Sequence, residues 1–428
     1  MLHIAPEKVY ITEEVQARPE CRARTERMIG AMSPGEVRVV SLRELNDLVQ
    51  QRGWKSLPRW GEMQEPHDPD IVFALARFDG EANHKELLAR YPNLSCRDLA
   101  GYQTLMFRPD GEPWWRQQMQ GIVCQSAYQL HSIIGCPFRC AYCSFGTINR
   151  VLVNIEEYFE HLHDWLALGG EQRLWKWDNW ADVNCFEPEY GASALLVEYF
   201  ARQQAKYLEI YAGKSDNVDH LLPLGHNGQT IIQWSVGGAT QTSSFEPRTA
   251  SWEERIEAAR KCQQAGYLVR YRFSPIIPVQ RWRAENTALI ERIFERTSPD
   301  VISLCAFGWM DLADAERCLD FGALDPDFVA AMRAVAPFLR ERGYTAGGGR
   351  PMPHEARYVL FKHLIREIRR VSPGTVIALC LETEEMWQAL GRELGQSPRN
   401  YVCNCGPMCT PGAPLYDRLV PERLPAPA

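Results

Sequence analysis

The chain has 428 residues, of which 45% are hydrophobic and 24% charged, and a formal net charge of -7 from 47 Lys and Arg against 54 Asp and Glu. That length allows one large core or two to three ordinary ones, and the composition is that of a globular chain. The acidic balance argues against affinity built on nucleic-acid phosphates, and no apolar run reaches membrane-spanning length.

The opening MLHIAPEKVYITEE lacks the apolar core of an export signal. With no such signal, the 14 cysteines predict a reducing, cytoplasmic setting and metal or redox use rather than disulfides. Residues 1–120 read as a small α/β portion. VRVVSL (37–42) is a β-branched run leading into a helical stretch from Leu42 to Gln51, and IVFALARF (71–78) is a second buried strand. The turn-rich RPDGEPWW (108–115) follows, with Trp114 and Trp115 expected to pack rather than form a lid.

From 121 to about 320 strand and helix signals alternate, which predicts parallel β/α units. The strand candidates are QSAYQLHSII (125–134), RLWKWD (173–178), YLEIYAG (207–213), TIIQWSV (230–236), YLVRYRFS (267–274) and VISLCAFG (301–308). A helix follows Asn154 and stops at Gly169–Gly170, and SWEERIEAARKCQQAG (251–266) carries a Ser251/Glu254 capping box with Gly266 as terminator. Such repeats predict a partial TIM-type (β/α)6 barrel, with chemistry at the carboxyl ends of its strands. Residues 321–400 read as an α/β extension, with helices near 326–342, 355–371 and 383–395 and a strand at 375–381. Residues 401–428 read as a Cys-rich loop and a disordered tail ending LPAPA.

The most informative stretch is GCPFRCAYC (135–143), which sets Cys136, Cys140 and Cys143 in a C-x3-C-x2-C spacing. One tight loop can then turn three thiolates toward an iron–sulfur cube and leave the fourth iron open. A structural zinc site would want a fourth ligand and a second paired motif, and none lies nearby. With the aromatic Tyr142 before its last cysteine, the stretch resembles the signature of the radical S-adenosylmethionine (SAM) superfamily. The resemblance implies a [4Fe-4S] cluster on Cys136, Cys140 and Cys143 and SAM chelating the open iron. It also implies an external electron donor of the flavodoxin or ferredoxin type, and reductive cleavage of SAM to a 5′-deoxyadenosyl radical.

VLVNIEE (151–157), GKSDNVDHLLPLGHNGQT (213–230), WSVGG (234–238), FEPRTASWEERIEAARKCQQAGY (245–267) and FSPIIPV (273–279) further resemble the spore photoproduct lyase family. That resemblance implies SAM contacts from Lys214, Ser235 and Ser274. The family carries a hydrogen-donor cysteine after the second strand, whereas this chain has Asn179, and an amide cannot give a hydrogen atom to a carbon radical. Cys185 or Cys305 would have to replace it. Asp178 and Asp182 could bind a polar substrate or take a proton, or equally cap a turn. Trp175, Trp177 and Trp180 are expected to pack, with a base-stacking platform as the alternative.

YVCNCGPMCTPG (401–412) adds Cys403, Cys405 and Cys409. Three uses compete for them: a second iron–sulfur cluster or metal, a thiol such as Cys405 reaching the active site, or capture of a thiophilic substrate. The sequence therefore predicts a radical SAM enzyme acting on a small-molecule or nucleotide substrate, with Asp178, Asn179, Cys305 and Cys405 as catalytic candidates. Two alternatives stand beside it: repair of DNA photolesions, and aminocarboxypropyl transfer to a substrate held by the tail cysteines. The acidic charge disfavours DNA.

Overall fold

The computed structural model describes residues 1–55, 68–108, 122–308, 310–341 and 351–420, so Trp114, Trp115 and the LPAPA terminus lie outside the described residues. Its strands are Lys8–Thr12 (β1), Glu36–Val40 (β2), Asp70–Ala74 (β3), Leu105–Arg108 (β4), Ile122–Val123 (β5), Ala127–Leu130 (β6), Ile133–Ile134 (β7) and Ile148–Leu152 (β8). They continue with Leu174–Trp177 (β9), Tyr207–Gly213 (β10), Thr230–Val236 (β11), Leu268–Ile276 (β12), Val301–Ala306 (β13), Val376–Leu379 (β14) and Glu382–Thr383 (β15).

Two sheets carry the fold. The smaller runs β2-β1-β3-β8-β7, and the larger runs β14-β13-β12-β11-β10-β9-β6-β4. In the larger sheet every pairing is parallel except that of β4 with β6. Among the described residues no pairing joins β14 to β4, so the expected barrel is seen as an open eight-stranded sheet. The two portions on either side of residue 120 share both sheets: β8 pairs with β3 in the smaller, and β4 joins the larger.

Parallel strands covered on both faces read as continuous apolar runs, and β11 is buried at all seven positions. The polar residues that interrupt these runs share one face. Lys176 lies opposite Glu209, Gln233 opposite Arg270, and Ser235 opposite Arg272. The helix Trp252–Gln264 has both halves of the expected Ser251/Glu254 capping box, and Gly266 follows at a φ of +96°. The helix after Asn154 instead breaks at His161 into Ile155–Glu160 and Leu162–Leu168.

The strand expected over 125–134 also divides, into β6 and β7, and the cause is tertiary. The Asp178 carboxylate accepts the backbone N–H groups of Ser132 (2.9 Å) and Ile133 (3.0 Å) and withdraws them from the ladder. Trp175 and Trp177 are fully buried and pack in the core, as expected. Trp180 is half-buried and stacks on the His131 ring at 4.3 Å.

Candidate active site

The cysteine loop leaves β7 through Gly135, whose φ is +112°. A Cβ there would lie 2.1 Å from the Ile148 carbonyl oxygen, so only glycine permits this approach to β8. The loop is pinned at both ends and in the middle. Gly135 N donates to Trp180 O (3.1 Å), Cys136 N to Phe145 O (3.0 Å) and Ala141 N to Phe245 O (2.8 Å). Phe145 N donates to Cys143 Sγ at 3.4 Å. Cys136, Cys140 and Cys143 all face one cavity of about 820 Å³ at the carboxyl ends of the larger sheet, a size suited to a cofactor with a substrate.

Although these cysteines are only half-buried, burial pushes the Cys143 thiol up to about 11, and the Cys140 thiol rises by the same cause. Thiols raised in this way, as Cys140 and Cys143 are, become thiolates at neutral pH only with a bound cation, so the three-cysteine donor set fits an iron–sulfur cluster. Lys214, Ser235 and Ser274, where the resemblance placed SAM contacts, line the same cavity, together with Asn179, Trp180, Asp182, Tyr211, Arg97, Arg108 and Arg272. The Asn179 Oδ1 and Asp182 Oδ1 atoms are buried with no protein partner, so acceptors stand ready for a bound group with ammonium or hydroxyl donors.

Beneath the loop lies a charged network that sequence reading missed. Tyr142 donates its hydroxyl proton to Glu246 Oε1 (2.6 Å), Arg255 Nη2 donates to Glu246 Oε2 (2.6 Å), and Lys214 Nζ stands 3.8 Å from the same carboxylate. Burial opposes ionisation of Glu246, but Lys214, Arg255 and the two hydrogen bonds outweigh it and hold the carboxyl at about 2. Arg255, fully buried, also donates to Ser235 O (3.0 Å) and Ala250 O (2.9 Å), tying the helix start at 252 to the end of β11. Both charged residues stand in FEPRTASWEER, nine positions apart, which was the available signal.

Asp182 is a second anchor. Its Oδ2 accepts Lys214 N (2.6 Å) and Ser215 N (3.0 Å), which fixes the turn after β10, and Gly213 makes room for it. Burial pushes this carboxyl up to about 7 despite those two bonds.

The catalytic candidates separate. Asn179 lines the cavity, in the place expected. Asp178 does not: it is fully buried, with one oxygen on His131 Nδ1 (2.7 Å) and the other on Ser132 and Ile133. Its carboxylate shapes the backbone that leads into the cysteine loop. Cys305 is buried outside the cavity lining beside Cys380, with Arg272 Nη2 at 3.9 Å from the first sulfur and 2.8 Å from the second. Cys185 is fully buried against Cys136. Cys405 is shielded from the cavity by Arg108, whose Nη1 lies 3.6 Å from its sulfur. Cys403 and Cys409 accompany it, away from the lining.

Residues 123–310 match the family model for spore photoproduct lyase. The chain is 25% identical over 222 residues to the spore photoproduct lyase of Geobacillus sp. (strain Y412MC61), covering 48% of this chain and 59% of the relative. To that of Bacillus subtilis (strain 168) it is 27% identical over 186 residues, 41% of this chain and 53% of the relative. The aligned region thus spans little more than half the length of these curated relatives. A solved spore photoproduct lyase complexed with dinucleoside spore photoproduct superposes with a TM-score of 0.56 at 17% identity, over 87% of this chain and 98% of that one. A variant of the same enzyme with bound AdoMet and the dinucleoside gives the same score, identity and coverage.

Proposed function

We propose, from the premise that the chain belongs to a spore photoproduct lyase-like family of radical SAM proteins, that it is a radical SAM enzyme acting on a nucleotide-type substrate. A DNA photolesion is the first to test. The observation that carries this reading is the convergence of Cys136, Cys140 and Cys143 with Lys214, Ser235, Ser274 and Asn179 on one cavity. The sheet is read as the partial (β/α)6 barrel in which such a site sits at the strand carboxyl ends. The dinucleoside bound by the structural relatives moves the substrate from an unspecified small molecule toward nucleotides.

Cys136, Cys140 and Cys143 would hold the [4Fe-4S] cluster. Lys214, whose Nζ stands 3.8 Å from the Glu246 carboxylate, would meet the SAM carboxylate, and the Ser235 hydroxyl with the Asn179 amide oxygen would meet its hydroxyl or amino donors. When bound, cluster and SAM supply a 5′-deoxyadenosyl radical that takes a hydrogen atom from a substrate carbon. Arg97, Arg108 and Arg272 also line the cavity, and their guanidinium donors would suit phosphate oxygens. The electron would come from a flavodoxin- or ferredoxin-type partner.

A second reading, a nucleotide or small anionic substrate that is not repaired by thiol hydrogen return, is favoured by one observation. Among the described residues lining the cavity, the cysteines are the three of the loop, and Asn179, also in the lining, is read as holding the position where the resemblance implies a donor thiol. Aminocarboxypropyl transfer onto a substrate held by Cys403, Cys405 and Cys409 draws no support from their place outside the cavity.

The test is anaerobic turnover of reconstituted protein with SAM and dithionite, with and without dinucleoside spore photoproduct. Lesion-dependent 5′-deoxyadenosine with thymine recovery supports repair. Deoxyadenosine formed without response to the lesion supports the second reading, and methylthioadenosine as the product would overturn both.

A further inference from the structure

The N-terminal portion reaches the cysteine loop through one side chain. Arg97 and Asp98, between β3 and β4, both take left-handed backbone angles, φ +49° and +50°, which residues other than glycine adopt only when their surroundings hold them there. The Asp98 carboxylate does the holding. Its Oδ1 accepts Tyr102 N (3.0 Å), its Oδ2 accepts Gln103 N (2.8 Å), and the fully buried Arg150 of β8 donates Nη1 to the same Oδ2 (2.9 Å). The clamped turn sends Arg97 across to the cysteine loop.

There Arg97 Nη2 donates to Ser144 O, on the residue after Cys143, and the guanidinium lies 4.7 Å over the Phe145 ring. Phe145 is the residue that grips the cysteines: its N–H meets Cys143 Sγ at 3.4 Å and its carbonyl accepts Cys136 N. The Phe145 ring stacks toward Trp180 at 6.0 Å and Trp180 on His131 at 4.3 Å, with interplanar angles of 17° and 16°. Arg97 thus caps a row of three rings that ties the cysteine loop to the turn carrying Asn179. It lines the cavity with the three cysteines, and its buried Nε has no protein partner among the described residues.

We propose that Arg97 is a positioning residue that sets the reduction potential of the cluster on Cys136, Cys140 and Cys143, an inference that rests on the cluster assigned under the proposed function. Reduction adds one negative charge to the cluster. A fixed guanidinium beside the Cys143 segment stabilises the reduced form more than the oxidised one, and an unpartnered N–H of the kind cluster sulfurs accept acts in the same direction. Arginine suits both tasks, since its fork can hold Ser144 O with one nitrogen and leave another free.

The test is potentiometric titration of anaerobically reconstituted full chain without SAM, with dithionite as reductant and the EPR signal of the reduced cluster as readout. Iron content and circular dichroism check loading and fold. In Arg97→Gln the midpoint is expected to move to more negative potential, so less of the cluster is reduced at the parent's midpoint, and Arg97→Lys, which keeps the charge, is expected to lie between the two. Arg108→Gln is the control, because Arg108 lines the same cavity but is held by Gln125 and Cys405, and its midpoint should stay with the parent's. Should Arg97→Gln fail to hold iron, Asp98→Asn loosens the clamp with Arg97 in place, and the same negative shift is expected. An unchanged midpoint in an iron-loaded variant, or an equal shift in Arg108→Gln, would overturn the proposal. A parent that takes up no iron would remove the proposed function itself, whereas a parent whose signal SAM perturbs, with no shift on losing Arg97, removes this inference alone.

Discussion

Replacing Glu246 with glutamine would leave Arg255 fully buried without its counter-charge and would release Tyr142 and Lys214 together. Breaking a buried ion pair from one side costs on the order of 3–5 kcal/mol. Glu246→Gln should therefore melt well below the parent in a thermal scan and bind SAM more weakly by calorimetry, and an unchanged melting temperature would show that the network carries no load. Asp182 makes a pH prediction of definite sign. Its folded carboxyl titrates at about 7, raised from 3.8. The stability it contributes is thus present below pH 4 and lost as pH rises through 7. Between pH 6 and 8 the melting temperature should fall more in the parent than in Asp182→Asn, which has no such titration. Both side chains owe their behaviour to burial among partners far along the chain, and Asp178 shows the same: its ligands stand 45 to 47 residues away.

The cysteine loop is the element whose geometry is least forgiving. Gly135→Ala would set a methyl against the β8 backbone at a φ that alanine avoids. The expected result is a folded chain that takes up little iron at 136–143, read as loss of the SAM-perturbed EPR signal. The helix Trp252–Gln264 offers the contrasting case. Removing its Ser251 cap should cost about 1 kcal/mol in denaturant unfolding, with turnover retained, because the capping box is exposed and touches no cavity residue. Such caps are local in sequence and were legible there. So were the bounds of β10 and β11, whose apolar runs begin and end at the residues expected. The division of β6 from β7 and the break at His161 were not, since side chains from other elements impose them.

At the scale of the molecule, charge limits how a nucleic acid can be held. The chain carries -7 overall, and several of its arginines, Arg255 and Arg270 among them, are spent on internal partners. Affinity for lesion-bearing duplex should then fall far less between 50 and 200 mM salt than the roughly 10³–10⁵-fold of a protein with six to ten phosphate contacts. A fall of that full size in a filter-binding titration would show an extended backbone interface instead. Sequence by itself determined what depends on short spacing: three cysteines within eight residues, the alternation of strands and helices, and the glycine and capping positions that punctuate them. Only the tertiary structure decided which polar side chains meet. It put Asn179 in the cavity and Asp178 behind it, joined Glu246 to Lys214 and Arg255, and carried Gln125 to Tyr401 and Cys409 in a tail 276 or more positions away. The physical reason is that periodicity records which face a residue takes, whereas its partner across that face is set by how sheets and loops pack.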